Sequence, residues 1–221
     1  MITLTAKITL DNDAEIVIDK RNLHSLEQSI VDRGNIALPS WGIISNGGRI
    51  VFSDFISTDD SGQEFWTIKQ LAETHKLVGG LETVIFLNDT LANTSYAFRN
   101  YITDTWDYDS NSREVSVSLT DGLQEWQDAV VDVLPFRATT PQNVDGEYIY
   151  THWYGKTPSK FKMKDFANLD ENTKTALAKF SASLFISEDT NLWSAWATFC
   201  EAVQARIYRN NKGETIFTCR D

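Results

Sequence analysis

The sequence predicts an α+β fold. A mainly antiparallel, β-barrel-like domain with short amphipathic helices covers residues 1–135, and a smaller mixed α/β-hairpin module covers 136–221. Three observations predict it. Apolar and polar residues alternate through much of the first half, the period of half-buried strands. Turn-forming residues punctuate those runs at short intervals. Helical spacing is confined to short windows, the best of them at 191–205, where Leu192, Trp196, Phe199 and Val203 form one stripe with Trp193 and Cys200 beside it.

Taken in order, Ile2, Leu4, Ala6, Ile8 and Leu10 form the first alternating run, and Asp11-Asn12-Asp13 turns the chain. Ile16 and Ile18 share the face of a second strand; Leu26, Gln28 and Ile30 continue a more polar one. Between apolar runs at 42–45 and 49–52, Asn46-Gly47 predicts a hairpin, because both residues accept the positive φ of a type I′ turn. Residues 61–78 read as a helix. Ser61 and Glu64 have capping-box spacing, Phe65, Ile68, Ala72, His75 and Val78 share a face, and Gly79-Gly80 stops it.

Strands follow at 83–87, 96–106 and 114–119, and Asp121 caps a short helix that turns Leu123, Trp126 and Val130 inward. Pro135 ends this unit, and the domain boundary is placed between Pro135 and Pro141. Residues 136–160 read as irregular, broken by Pro141, Asp145-Gly146 and Pro158. Asn168 with Glu171 predicts a helix cap, the helix running through Phe180. Beyond the helix at 191–205, segments 206–209 and 214–218 form a hairpin around Asn210-Asn211-Lys212-Gly213.

Composition narrows the function classes. With 42% hydrophobic and 12% aromatic residues, including 7 Trp, the 221-residue chain has the material for a real core. A net charge of −11 argues against wrapping nucleic acid, which needs Lys and Arg to neutralise phosphates; sequence-specific nucleic-acid binding is not expected. No apolar run reaches the ~18 residues of a membrane span, and the start lacks the basic-then-apolar order of a signal peptide. Cys200 and Cys219, the two cysteines, read as inert packing thiols made in a reducing cytoplasm.

The search for chemistry points away from an enzyme. His24, His75 and His152 have no His or Cys neighbour at metal-ligand spacing. Asp107-Tyr108-Asp109-Ser110-Asn111 matches the first half of a calcium loop, but Ser112 replaces its glycine and Ser118 its bidentate Glu, so it reads as a hairpin turn. Ser159-Lys160-Phe161-Lys162 fits a bare Ser-x-x-Lys pattern without its companion motifs. No catalytic residue, cofactor or metal is expected.

One stretch stands apart. Tyr148, Tyr150, Trp153 and Tyr154 lie in a Gly-flanked segment, followed at once by Lys156, Lys160, Lys162 and Lys164. Tyr and Trp are favoured at interfaces, so Tyr148, Tyr150, Trp153, Tyr154, Lys156 and Lys160 are the interface candidates. The lysines suit an acidic neighbouring chain. The alternative is a β-rich carbohydrate- or receptor-binding module that uses the four rings as a stacking platform.

Two stretches carry a resemblance. The first is Leu38-Pro39-Ser40-Trp41-Gly42, then Asn46-Gly47-Gly48-Arg49-Ile50-Val51-Phe52-Ser53-Asp54, with the later order of strand, Trp106, strand, Thr120-Asp121-Gly122-Leu123. The second runs from Asn191 to Gly213: Trp193, two turns of amphipathic helix, Glu201-Ala202, strand, turn, Lys212-Gly213. Together they resemble the baseplate hub, or tail-tip (tail-associated) hub, proteins of tailed bacteriophages. The resemblance covers about half of the chain and carries no catalytic residue onto it. Family hubs usually run well past 300 residues, so this chain is shorter than the pattern. The resemblance implies a structural virion protein made in the host cytoplasm. It implies a homo-oligomeric ring, commonly a trimer, of β-barrel domains that joins the tail tube, through distal tail and tape-measure proteins, to fibre or tip proteins. It also implies a passive channel for DNA.

Overall fold

The computed structural model describes residues 2–11, 13–31, 42–57, 65–129, 144–182 and 190–219. In chain order the strands are β1 (Ile2–Thr9), β2 (Glu15–Ile18), β3 (Leu23–Val31), β4 (Gly42–Ile43), β5 (Ser45–Ser53), β6 (Ile56–Ser57) and β7 (Phe65–Trp66). Helix α1 (Ile68–Thr74) precedes β8 (Glu82–Asp89), β9 (Thr94–Asp109) and β10 (Glu114–Thr120). A 3-10 turn, Leu123–Gln127, is followed by β11 (Val144–Asp145), α2 (Gly146–Lys156), α3 (Glu171–Lys179), β12 (Ser181–Ala182), α4 (Leu192–Val203), β13 (Ala205–Arg209) and β14 (Thr215–Cys219). The fold is therefore α+β, with antiparallel pairing dominant.

The chain divides into two units that interleave along the sequence. Unit 1 takes residues 1–30, 46–122 and 210–213; unit 2 takes 31–45, 123–209 and 214–221. The boundary predicted between Pro135 and Pro141 lies outside the described residues.

Unit 1 is organised by a sheet in the order β3-β5-β10-β9-β8-β1-β2-β6-β7. Among the described residues this order is open, which corrects the barrel-like expectation. Closure would pair β3 with β7, and β7 is two residues long; short edge strands are a usual way to blunt an open sheet. One face is the core. Ala6 and Ile8 of β1, Ile16 and Ile18 of β2, Ile50 and Phe52 of β5, Ile85 of β8 and Val115, Val117 and Leu119 of β10 are buried, with Ile68 and Leu71 of α1 packed on them.

Four local predictions are corrected here. Asn46-Gly47 makes no hairpin: β5 runs straight through it, with Gly47 opposite Thr120 and Gly48 opposite Leu119. Tertiary pairing overrides the turn signal, because the Asn46 N–H donates to Asp121 Oδ2 (2.6 Å) and the Asn46 carbonyl accepts from Asp121 N–H (2.9 Å). The glycine at 48 serves a close approach instead. A Cβ there would sit 2.6 Å from the Glu27 carbonyl oxygen of β3. Gly48→Ala is expected to push β3 off β5 and cost about 1–3 kcal/mol, read as a lower urea midpoint.

The helix predicted at 61–78 is shorter. Ser61 and Glu64 lie outside the described residues; β7 occupies Phe65–Trp66, and the capping box is Thr67 with Gln70. Helix α1 ends at Thr74, before the glycines, and buries Ile68 and Leu71, while Ala72 is exposed. The third correction is the segment read as irregular, which contains α2. Likewise the cap of α3 is Asp170, whose side chain accepts from Thr173 N–H, and Asn168 ends a preceding 3-10 turn.

Unit 2 is held by aromatic packing. Its sheet runs β14-β13-β4, with β13–β14 antiparallel and β13–β4 parallel. Asn191 caps α4 by accepting from Ser194 N–H, and Leu192, Trp193, Ala195, Trp196, Phe199 and Cys200 face inward. Trp196 is the hub of the cluster: its ring lies 5.4 Å from Tyr150, 5.6 Å from Trp153, 5.8 Å from Phe217 and 6.4 Å from Trp126.

Candidate functional site

The six predicted interface residues separate once α2 is formed. Asp145 caps the helix by accepting from Tyr148 N–H at 2.8 Å. Gly146 sits where a Cβ would meet the Leu177 carbonyl at 2.6 Å, so α3 packs directly on the first turn of α2. Helical spacing then turns Ile149, Tyr150 and Trp153 inward together. Tyr150 and Trp153 are fully buried, which corrects their reading as interface residues. The signal was masked because Tyr, Trp and Thr are indifferent helix formers; packing on α3 and α4 fixes the helix.

The Tyr150 hydroxyl donates to the Lys164 carbonyl at 2.6 Å, and burial raises its pKa far above that of an exposed phenol. Tyr148 is exposed and stacks on His152, with centroids 6.2 Å apart. Tyr154 is half-buried, stacked on Tyr150, and carries Lys162 Nζ 4.3 Å above its ring. Lys156 and Lys160 are exposed. With two of the four rings inside the core, no exposed aromatic plane forms, and the carbohydrate-platform reading loses its basis.

Several titratable groups make tertiary contacts that pin the fold. His75 Nδ1 lies 2.8 Å from Asp11 Oδ1, and this hydrogen bond lowers the Asp11 pKa. His24 Nδ1 lies 2.7 Å from Glu114 Oε1. Asp54, nearly buried, accepts from Ile68 N–H at 2.5 Å and from the Tyr108 hydroxyl at 3.0 Å. The thiols are buried and unbonded: burial raises the pKa of Cys200 well above its usual value, and burial, with Asp170 nearby, pushes Cys219 up to about 11. Thiolates are scarce under those conditions, so neither is a ready nucleophile. Among the described residues no cluster of three His, Cys, Asp or Glu is placed to hold a metal, and no helix is long and apolar enough to cross a membrane.

Sequence reasoning missed one feature, the end of the sheet where β1, β8 and β9 meet. Ile2, Leu4, Ala6 and Ile8 share one face of β1. Leu4 pairs with Leu87 and Leu87 with Tyr96, while Ala6 pairs with Ile85 and Ile85 with Phe98. Directly paired residues share a face, so the core face continues outward past Ala6 and Ile85. Among the described residues nothing covers it there: Ile2 is 64% exposed and Tyr96 61%, and Leu91, at the tip of the β8–β9 turn, is 88% exposed. A signal existed in the sequence. Leu91 is a large apolar residue inside the turn Asn88-Asp89-Thr90-Leu91-Ala92-Asn93, where polar residues are the rule.

Compared with known proteins, the chain matches no family model and no curated sequence.

Proposed function

We propose that this chain is a non-enzymatic structural protein of a phage tail tip or baseplate. Copies form an oligomeric ring, a trimer in the simplest case, that joins the tail tube to tip or fibre proteins and lets DNA pass. The observation that carries the reading is the uncovered apolar end of the β1–β8–β9 sheet. Ile2 and Tyr96 lie where a core face runs out into solvent, with exposed Leu91 in the adjoining β8–β9 turn, and exposed apolar surface of this kind marks a protein–protein contact. The open sheet adds two edges, a liability that assembly relieves. The element order, which resembles that of tail hub proteins, supplies the virion context, and the net charge of −11 suits a lumen through which DNA slides without adsorbing.

The test is the oligomeric state of the full chain, by light scattering behind size exclusion and negative-stain imaging. A ring of copies with a central hole is expected. Leu91→Asp with Tyr96→Asp should dissociate it while shifting monomer stability by no more than about 0.5 kcal/mol, since both side chains are exposed. A chain that stays monomeric at every concentration, unaffected by these substitutions, would overturn the proposal.

A further inference from the structure

The charge of the chain is polarised. Unit 1 holds nine Lys and Arg against seventeen Asp and Glu, a net −8; unit 2 holds eleven against fourteen, a net −3. Within unit 2, residues 156–164 contain four Lys and no acid. The structure orders these lysines. Phe161 and Met163 are buried, so Lys162 and Lys164 point outward from alternating positions, with exposed Lys160 just before them. Lys162 rests over the Tyr154 ring at 4.3 Å; Lys160 and Arg209 lie over the Phe161 ring, each at 5.3 Å. The Tyr150 hydroxyl holds the Lys164 backbone. The result is a short exposed cationic comb, its first tooth within the 3-10 turn Ser159–Phe161 and the next two following it.

An acidic comb stands on the β9–β10 hairpin of unit 1. Asp107 and Asp109 are exposed at alternating positions of β9, with Ser116 opposite Asp107 and Glu114 directly opposite Asp109. All three carboxylates therefore share one face. Glu114 is held by His24 at 2.7 Å, and Asp109 accepts from the Asn111 backbone amide, which lowers its pKa and keeps it ionised beside Asp107.

Building on the assembly reading above, we infer that the Lys160–Lys162–Lys164 comb of one copy docks on the Asp107–Asp109–Glu114 face of the next. The two combs oppose in sign, and they lie on different units of the chain. Such a contact is heterologous, the kind that generates rings when its rotation closes. Charge complementarity across it sets partner choice and register.

The experiment uses two charge-reversed full chains, Lys162→Glu with Lys164→Glu and Asp107→Lys with Asp109→Lys, each checked for an unchanged melting temperature. Each alone is expected to self-associate at least about tenfold more weakly than the native chain. Mixed in equal amounts, they are expected to associate again, because the acidic combs of one meet the lysines of the other. High salt should weaken the native assembly. If the native chain assembles and both variants assemble equally well, the docking inference falls while the assembly reading stands. Loss in both variants without recovery on mixing would also overturn it. A native chain that is monomeric throughout overturns both.

Discussion

Trp196→Ala is expected to cost about 3–5 kcal/mol, the usual loss for removing a fully buried large aromatic, enough to unfold unit 2 or leave it marginal. Trp196 is fully buried and its ring borders Trp126, Tyr150, Trp153, Phe199 and Phe217, so the cavity is lined from several elements at once. Its indole N–H also donates to Thr157 Oγ1 at 3.4 Å, which ties α4 to the end of α2. A neighbouring substitution supplies the contrast. Tyr148→Ala removes an exposed ring from α2, in the same unit, and should shift stability by no more than about 0.5 kcal/mol. Urea unfolding followed by near-ultraviolet circular dichroism reads both. A cost below about 1 kcal/mol for Trp196→Ala would mean that unit 2 is not built around this cluster.

Asp54→Ala is expected to be nearly as severe, about 2–3 kcal/mol, through a different mechanism. Its carboxylate accepts the buried Ile68 N–H at the start of α1 and the Tyr108 hydroxyl on β9. Removing it leaves a buried backbone donor without its partner, and the desolvation cost of that donor is not recovered. Tyr108 is 43% exposed, so its hydroxyl returns to water and Tyr108→Phe should cost much less. Two readouts separate this from generic damage. Hydrogen exchange should accelerate first in Ile68–Thr74. The Tyr108 phenol, whose pKa is raised by its hydrogen bond to Asp54, should titrate closer to an ordinary tyrosine in the variant.

What was legible in the sequence was whatever local pattern alone decides. The alternation at Ile2 to Ile8, the hairpin at Trp106 to Arg113 and the stripe on α4 all coincide with observed elements, because in each case burial on one face enforces the same period that the sequence shows. Elements settled by distant partners were not legible. Asn46-Gly47 has good turn chemistry, yet β10 and Asp121 claim its backbone hydrogen bonds. Tyr148 to Tyr154 look unlike a helix, yet three inward residues and a glycine seat against α3 make one. For the candidate surfaces the same division holds. Lys156 and Lys160 are exposed as expected, whereas Tyr150 and Trp153 were claimed by the core. The apolar sheet end was missed because its residues come from three strands, and only pairing brings Ile2, Leu87 and Tyr96 to one place.

The parallel ladder between β4 and β13 sets a timetable for synthesis. Gly42 and Ile43 pair with Arg206 and Ile207, and the Ile44 N–H donates to the Ile207 carbonyl. At ribosomal rates the earlier strand emerges roughly ten to thirty seconds before its partner. The sheet of unit 1 has its own strands through β10 in hand during that interval, so it can fold while the chain is still being made. Unit 2 cannot, because its sheet waits for the distal hairpin, and such long-range pairing is intrinsically slow. A nascent chain interrupted before β13 therefore holds no finished second unit, because the sheet that organises it lacks its central strand.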